Sequence, residues 1–277
     1  MRLVFKGFTM KMLKRFVYKG FSPYYYARKT LYNLSNRTDY RRRKSYRASA
    51  DPAAIEAIRA EGWTKPAMDL ENVGKAVAYC RELEAKTWPQ DTPPEAGQGK
   101  DFWTLIVNRS NVNEHPVLIE FASQPAFKNL ASAYLGEEAV LSDIALMKSF
   151  PTHRQAKHSQ LWHLDADDDR LLLFYVYCSD VDDGAGPFML IPKSRQTPIY
   201  LPRFLRKYGY TDAEIKARSK PQSVVSVVGP AGTVFACDTA TTYHCGSRCE
   251  DKTRLALSIR YTTRSGLYPV QPIAKAS

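Results

Sequence analysis

The chain has 277 residues, 44% hydrophobic and 12% aromatic, which excludes a disordered protein and suffices for one substantial core with elaborations. Its formal net charge is +12, but residues 1–47 hold 14 Lys or Arg against one acidic residue, leaving 26 basic and 27 acidic residues in a near-neutral remainder. Five cysteines without paired spacing argue against a disulfide framework and for reduced thiols in a cytoplasmic protein.

Residues 1–47 read as a basic, aromatic arm, with Phe5, Phe8, Met12 and Phe16 near helical spacing. No apolar run there is long enough for a signal or membrane-spanning segment. The arm is a candidate for peripheral contact with an anionic membrane surface, or for packing onto the body or a second subunit. Nucleic-acid contact through Arg41, Arg42, Arg43 and Lys44, and organelle targeting, rank below these. The remainder, 48–277, reads as a single domain. Its first part, 48–135, is mainly helical. Asp51-Pro52 caps a helix ending at Gly62, Asp69 to Lys86 forms a second, and Pro116 to Leu135 a third closed by Gly136. Trp88 to Lys100 is a loop, and Phe102–Val107 a candidate strand.

From residue 136 to 265 the periodicity changes. Strand-like runs follow at Val140–Phe150, Gln160–Leu164, Leu171–Val181, Pro187–Ile191, Ser223–Val228, Thr233–Cys237, Thr242–Cys245 and Arg254–Thr262. Such a set predicts a mainly β fold, a jelly roll with flanking helices. Residues 196–222 interrupt the strands with a basic, helix-like insert (Pro202–Tyr210, then Asp212–Arg218), expected near the barrel mouth as a lid or substrate wall.

Trp162-His163-Leu164-Asp165 carries the chemistry. On a strand, side chains two apart share a face, so His163 and Asp165 can hold one metal ion. The distal ligand is His244, 81 residues after His163, with Arg254 ten beyond it. Two His and one carboxylate with open positions is the facial triad of non-haem Fe(II) oxygenases. An Arg opening the next strand can hold a dicarboxylic co-substrate through its planar fork. A lone His-x-Asp is more often a turn or a hydrogen-bonded pair, so the conjunction carries the argument. The Cys245-x3-Cys249 pair lacks the two further soft ligands that zinc would need.

The segment from Arg170 to Arg195, with its hydrophobic strand, Asp-Val, acidic-Gly turn, Gly-Pro and second short strand, resembles the phytanoyl-CoA dioxygenase-like family. The resemblance covers about residues 136–265. Lys193 and Arg195 stand where that family usually has Gly and His. The resemblance implies a double-stranded β-helix (cupin-like) with helices outside it. It implies Fe(II) on His163, Asp165 and His244, and 2-oxoglutarate paired through its far carboxylate with Arg254. It implies consumption of O2 and release of succinate and CO2 as a small molecule is hydroxylated. Tyr175 aligns with a strand position that often contacts the co-substrate, and Lys148 is a candidate for adding charge to the pocket. The simpler accounts are a core aromatic and a surface Lys. Asp165 argues against the related halogenases, which have a small residue there. His153 and His158 read as loop residues that could touch substrate, Trp162 as packing, and the acidic turn Asp165–Asp169 as a solvated loop, with recognition of a cationic substrate as its functional alternative. A metal-dependent cupin without 2-oxoglutarate and a non-catalytic binding module are the other classes, which succinate formation separates. The substrate is not legible, because one fold hosts many chemistries.

Overall fold

The computed structural model describes residues 31, 50–68, 70–93, 101–168, 170–197, 207–220, 223–263 and 273. The arm at 1–47, apart from Leu31, and most of the expected Pro202–Tyr210 helix lie outside them.

The first helix, α1 (Pro52–Glu61), starts and stops as its sequence dictates: the Asp51 side chain accepts from the Ala53 N–H, and Gly62 ends it at φ 84°. Only glycine fits there, since a Cβ would sit 2.0 Å from Thr242 Oγ1. That close approach ties α1 to the loop preceding His244. After a two-residue strand, β1 (Trp63–Thr64), comes α2 (Val73–Thr87), then β2 (Trp103–Val107). The run expected as one helix over Pro116–Leu135 is two, α3 (Pro116–Ala122) and α4 (Pro125–Leu135). The cause is Pro125, which pushes Gln124 out of the helical region to ψ 143°.

The remaining strands are β3 (Val140–Ser149), β4 (Leu171–Tyr177), β5 (Phe188–Leu190), β6 (Val225–Val227), β7 (Val234–Cys237), β8 (His244–Cys245) and β9 (Arg254–Thr262). A short helix, α5 (Asp212–Lys216), lies in the insert behind a Thr211–Glu214 capping box. All named strand pairs are antiparallel, in a six-stranded sheet ordered β1-β7-β4-β9-β3-β2 and a three-stranded sheet ordered β6-β5-β8. This is the mainly β, jelly-roll architecture with flanking helices that the strand pattern predicts, in the double-stranded β-helix form that the family resemblance implies. One expected strand is absent: Gln160–Leu164 makes only single bridges, Trp162 with Tyr210 and His163 with His244. Its start is a 3-10 turn at His158–Gln160.

Strand parity divides the large sheet. One face of β3, β4 and β9 presents Ile144, Leu146, Leu172, Phe174, Val176, Leu255, Leu257 and Ile259, which pack in one core with Phe127, Leu130 and Ala131 of α4. The Phe127 and Phe174 rings meet edge to face at 4.9 Å. The other face, with Asp143, Ala145, Met147, Leu173, Tyr175, Arg254, Ser258 and Arg260, lines a cleft of about 900 Å³. All five cysteines are free and buried, consistent with packing thiols.

Candidate metal centre

The cleft brings His163, Asp165 and His244 together, with one ligand atom from each inside 4.8 Å of the others. Backbone pairing does this. His163 and His244 exchange two hydrogen bonds, N–H to O at 3.0 and 3.1 Å, so their side chains leave the same face. The imidazole centroids lie 4.2 Å apart. Asp165 follows two residues on, and its N–H donates to Thr239 O at 2.8 Å.

Each imidazole is oriented from behind. His163 Nδ1 donates to Leu161 O (2.8 Å) and His244 Nδ1 to Thr242 O (3.0 Å). A carbonyl can only accept, so both Nδ1 atoms carry a proton, and in the neutral ring the Nε2 lone pair is the one left to face the cleft. Those Nε2 atoms lie 3.8 and 3.9 Å from Asp165 Oδ1. Two donors each about 2.1 Å from one ion lie no more than about 4.2 Å apart, so these separations suit a bridging first-row metal. Asp165 Oδ2 accepts from Thr239 Oγ1 at 2.6 Å, which turns Oδ1 toward the two imidazoles.

The protonation states agree. Burial pushes His244 down to about 4, with His163 adding to the shift, so its imidazole is neutral at physiological pH. Burial pushes the Asp165 carboxyl up, but His244, Arg260, His163 and the Thr239 hydroxyl outweigh it and hold the group below the ordinary carboxylate value. Two imidazoles and a carboxylate form the donor set of the facial triad. Removing the Thr239 hydroxyl should therefore weaken metal binding without removing a ligand. Thr239→Val should raise the metal Kd by about 10- to 100-fold in an anaerobic Fe(II) or Co(II) titration. An unchanged Kd would show that the hydroxyl does not orient Asp165.

Arg254 is buried on the cleft wall. Nη1 donates to Gly186 O (2.5 Å) and Nη2 to the Ser247 and Ser149 hydroxyls (2.9 and 3.4 Å), while Nε has no partner. Gly186 makes this possible: φ is 66°, and a Cβ would lie 2.5 Å from Cys249 N. Tyr175 also lines the cleft, its ring stacked on Phe235 at 5.2 Å, and burial raises its hydroxyl pKa.

Lys148 is not in the cleft. It lies on the helix-facing side of β3, 2% exposed, with Nζ 2.8 Å from Glu84 and 2.9 Å from Asp91. It is neither a source of charge in the pocket nor a surface side chain, because parity places it with Leu146 and opposite Met147. Trp162 is packing, 2% exposed, its indole N–H donating to Asp212 (2.6 Å). His158 is a loop residue stacked on Phe102. The acidic turn is more than a solvated loop: Asp167 lines the cleft, and buried Asp168 accepts from the Thr263 N–H and hydroxyl. Lys193 rests on a buried pair, 3.2 Å from Tyr134 Oη and 3.4 Å from Asp238 Oδ2.

Sequence reasoning missed Arg109, Asp143, Thr239, Tyr208 and Arg260. Only Arg260 had a legible signal, since Arg254, Ala256, Ser258 and Arg260 are two apart on one strand face. Tyr208, from the insert, stacks over His163 at 5.9 Å between centroids and lines the cleft.

No protein-family model matches the sequence, and no curated protein sequence matches it. Solved structures do. EctD from S. alaskensis, with 2-oxoglutarate and 5-hydroxyectoine, is 19% identical over 79% of this chain and 78% of its own (TM-score 0.55). AviO1 from Streptomyces viridochromogenes Tue57 is 18% identical over 79% and 96% (TM-score 0.51). SnoK, a non-heme alpha ketoglutarate dependent carbocyclase from nogalamycin biosynthesis, is 17% identical over 81% and 93% (TM-score 0.54). At these identities the likeness is one of fold, and the chain has the double-stranded β-helix fold of those structures.

Proposed function

We propose that the chain is an Fe(II)- and 2-oxoglutarate-dependent oxygenase acting on a small molecule. The observation that carries this reading is the buried His163–Asp165–His244 cluster, with both Nδ1 atoms committed to backbone carbonyls. The fold supports it, since neighbours of that fold include a structure with 2-oxoglutarate and one with bound Fe. The narrower placement in the phytanoyl-CoA dioxygenase-like family rests on the Arg170–Arg195 motif. Lys193, where that family usually has Gly, is accounted for by its seat on Tyr134 and Asp238.

His163, Asp165 and His244 would hold the iron, which when bound supplies the activation of dioxygen. Arg254 would anchor the far carboxylate of 2-oxoglutarate, and its unpartnered Nε marks donor capacity that the protein leaves unused. Tyr175, Phe188 and Phe235 form an aromatic wall beside the triad that keeps bulk water from it. Tyr208 covers His163 from the insert side. The reaction proposed is hydroxylation: substrate C–H, 2-oxoglutarate and O2 give substrate C–OH, succinate and CO2. Conversion of 2-oxoglutarate to succinate that requires Fe(II) tests this reading. Metal binding without succinate would favour a cupin that does not use 2-oxoglutarate.

No helix among the described residues is long and apolar enough to cross a membrane. For residues 1–47 we keep the lipid reading, in a cytoplasmic, membrane-peripheral protein. Each basic residue near an anionic surface contributes on the order of 1 kcal/mol, within a Debye length. Deleting 1–47 should abolish salt-sensitive sedimentation with phosphatidylserine-containing vesicles and leave metal affinity unchanged. Equal sedimentation of the full and shortened chains would dispose of that reading.

A further inference from the structure

Strand β9 carries two arginines on its cleft face. Arg254 pairs across to Ser149 and Arg260 to Asp143 in unbroken register, and both line the cleft. Six residues of antiparallel strand separate them by roughly 20 Å. 2-Oxoglutarate is much shorter than that span. A co-substrate that reaches from Arg254 to the triad therefore leaves the Arg260 end of the cleft to another molecule.

The Arg260 end has its own charge pattern. The guanidinium lies 3.8 Å from Asp143 and 3.5 Å from Asp167. Both separations exceed the roughly 2.7–2.9 Å of a direct charge-assisted hydrogen bond. Arg260 Nε is buried with no hydrogen-bond partner. Arg109 lines the same cleft, with Nη1 donating to Ser142 O at 2.6 Å. Among the described residues, two cations and two carboxylates thus surround one region, and the central guanidinium is attracted by Asp143 and Asp167 but not hydrogen-bonded to either. A plain anion there would be repelled by Asp143 and Asp167. A plain cation would be repelled by Arg260 and Arg109. A small molecule carrying both charges satisfies both sets, and the planar guanidinium fork suits a carboxylate in particular.

We propose that this end of the cleft is the primary-substrate subsite and takes a small zwitterion, its carboxylate on Arg260 and its ammonium on the Asp143 and Asp167 carboxylates. The assignment rests on the oxygenase reading, which places 2-oxoglutarate at the opposite end. It makes Arg260 a specificity-determining residue and Asp143 and Asp167 its partners in selecting the ammonium.

The test uses the full chain loaded with Zn(II), which holds the site without turnover, and saturated with 2-oxoglutarate. The probes are the proteinogenic amino acids, β-alanine and 4-aminobutyrate, each beside its N-acetyl and primary-amide derivative, followed by ligand-observed NMR. At least one free zwitterion should bind, with both of its derivatives at least about 10-fold weaker. Arg260→Gln should remove the preference for the free acid over the amide. Asp167→Asn should remove the preference for the free amine over the N-acetyl form. Arg260→Lys keeps the charge and should retain part of the preference, which guards against a Gln variant that does not fold. 2-Oxoglutarate affinity should stay within about twofold in all three variants. Derivatives that bind as well as their parents would overturn the proposal, as would unchanged discrimination in Arg260→Gln. So would a panel with no binder while 2-oxoglutarate binds. Failure of 2-oxoglutarate to bind the Zn(II)-loaded protein would overturn the oxygenase reading itself, and this assignment with it.

Discussion

Asp165→Ala should lower metal affinity by more than about 100-fold and abolish Fe(II)-dependent turnover, with the fold retained. Losing even a group that only orients a ligand costs about 10- to 100-fold in metal affinity, and in the proposed site Asp165 supplies a donor atom and the negative charge of the ligand set. Without it, two imidazoles remain, 4.2 Å apart between centroids and still held by Leu161 O and Thr242 O. His163→Ala should have an effect of the same order. The backbone pairing of residue 163 with His244 does not use the imidazole, so a folded, metal-free protein is expected. Circular dichroism and an anaerobic metal titration check the two halves separately. Full iron-dependent activity in either variant would show that the metal, if any, sits elsewhere.

Arg254→Lys should raise the 2-oxoglutarate requirement by about 10- to 100-fold while leaving metal affinity within a few-fold of the parent. The charge is kept but the fork is lost. A hydrogen bond to a charged group contributes about 1.5–3 kcal/mol, and each 1.4 kcal/mol is about tenfold in affinity. The guanidinium is seated by Gly186 O and the Ser149 and Ser247 hydroxyls, a set that a lysine ammonium cannot reproduce with one nitrogen. Titration of 2-oxoglutarate into metal-loaded protein reads this directly. An unchanged apparent Kd would move the role to another cation on the cleft wall, such as Arg109 or Arg260 among the described residues.

The clustering of His163, Asp165 and His244 was legible because its logic is local. His163 and Asp165 are two apart, and parity alone puts them on one face. That they lie outside a regular strand did not matter, since the single His163–His244 bridge supplies the same alignment. Strand β9 and the cap of α1 were equally legible, each set by an apolar run or a cap residue. Lys148 failed for a reason that sequence cannot supply. Alternation says that Met147 and Lys148 face opposite ways, but not which face of β3 meets the cleft and which meets α2, where Glu84 waits. Asp143 depends on the β3–β9 register, and Thr239 on a loop that folds back onto Asp165, so neither had a signal in the chain itself. The break before Pro125 was readable from residue chemistry, yet the apolar periodicity ran through it.

If one buried site binds Fe(II) and 2-oxoglutarate together, an anaerobic optical titration shows it without knowledge of the substrate. Fe(II) chelated by a keto acid absorbs visible light by charge transfer, while either component alone does not. The full chain should develop this band only when both are added, saturating at one Fe(II) per chain, and Asp165→Ala should not develop it. No band in the parent protein, or an equal band in Asp165→Ala, would contradict the assignment of His163, Asp165 and His244 as the iron site of a 2-oxoglutarate-dependent oxygenase.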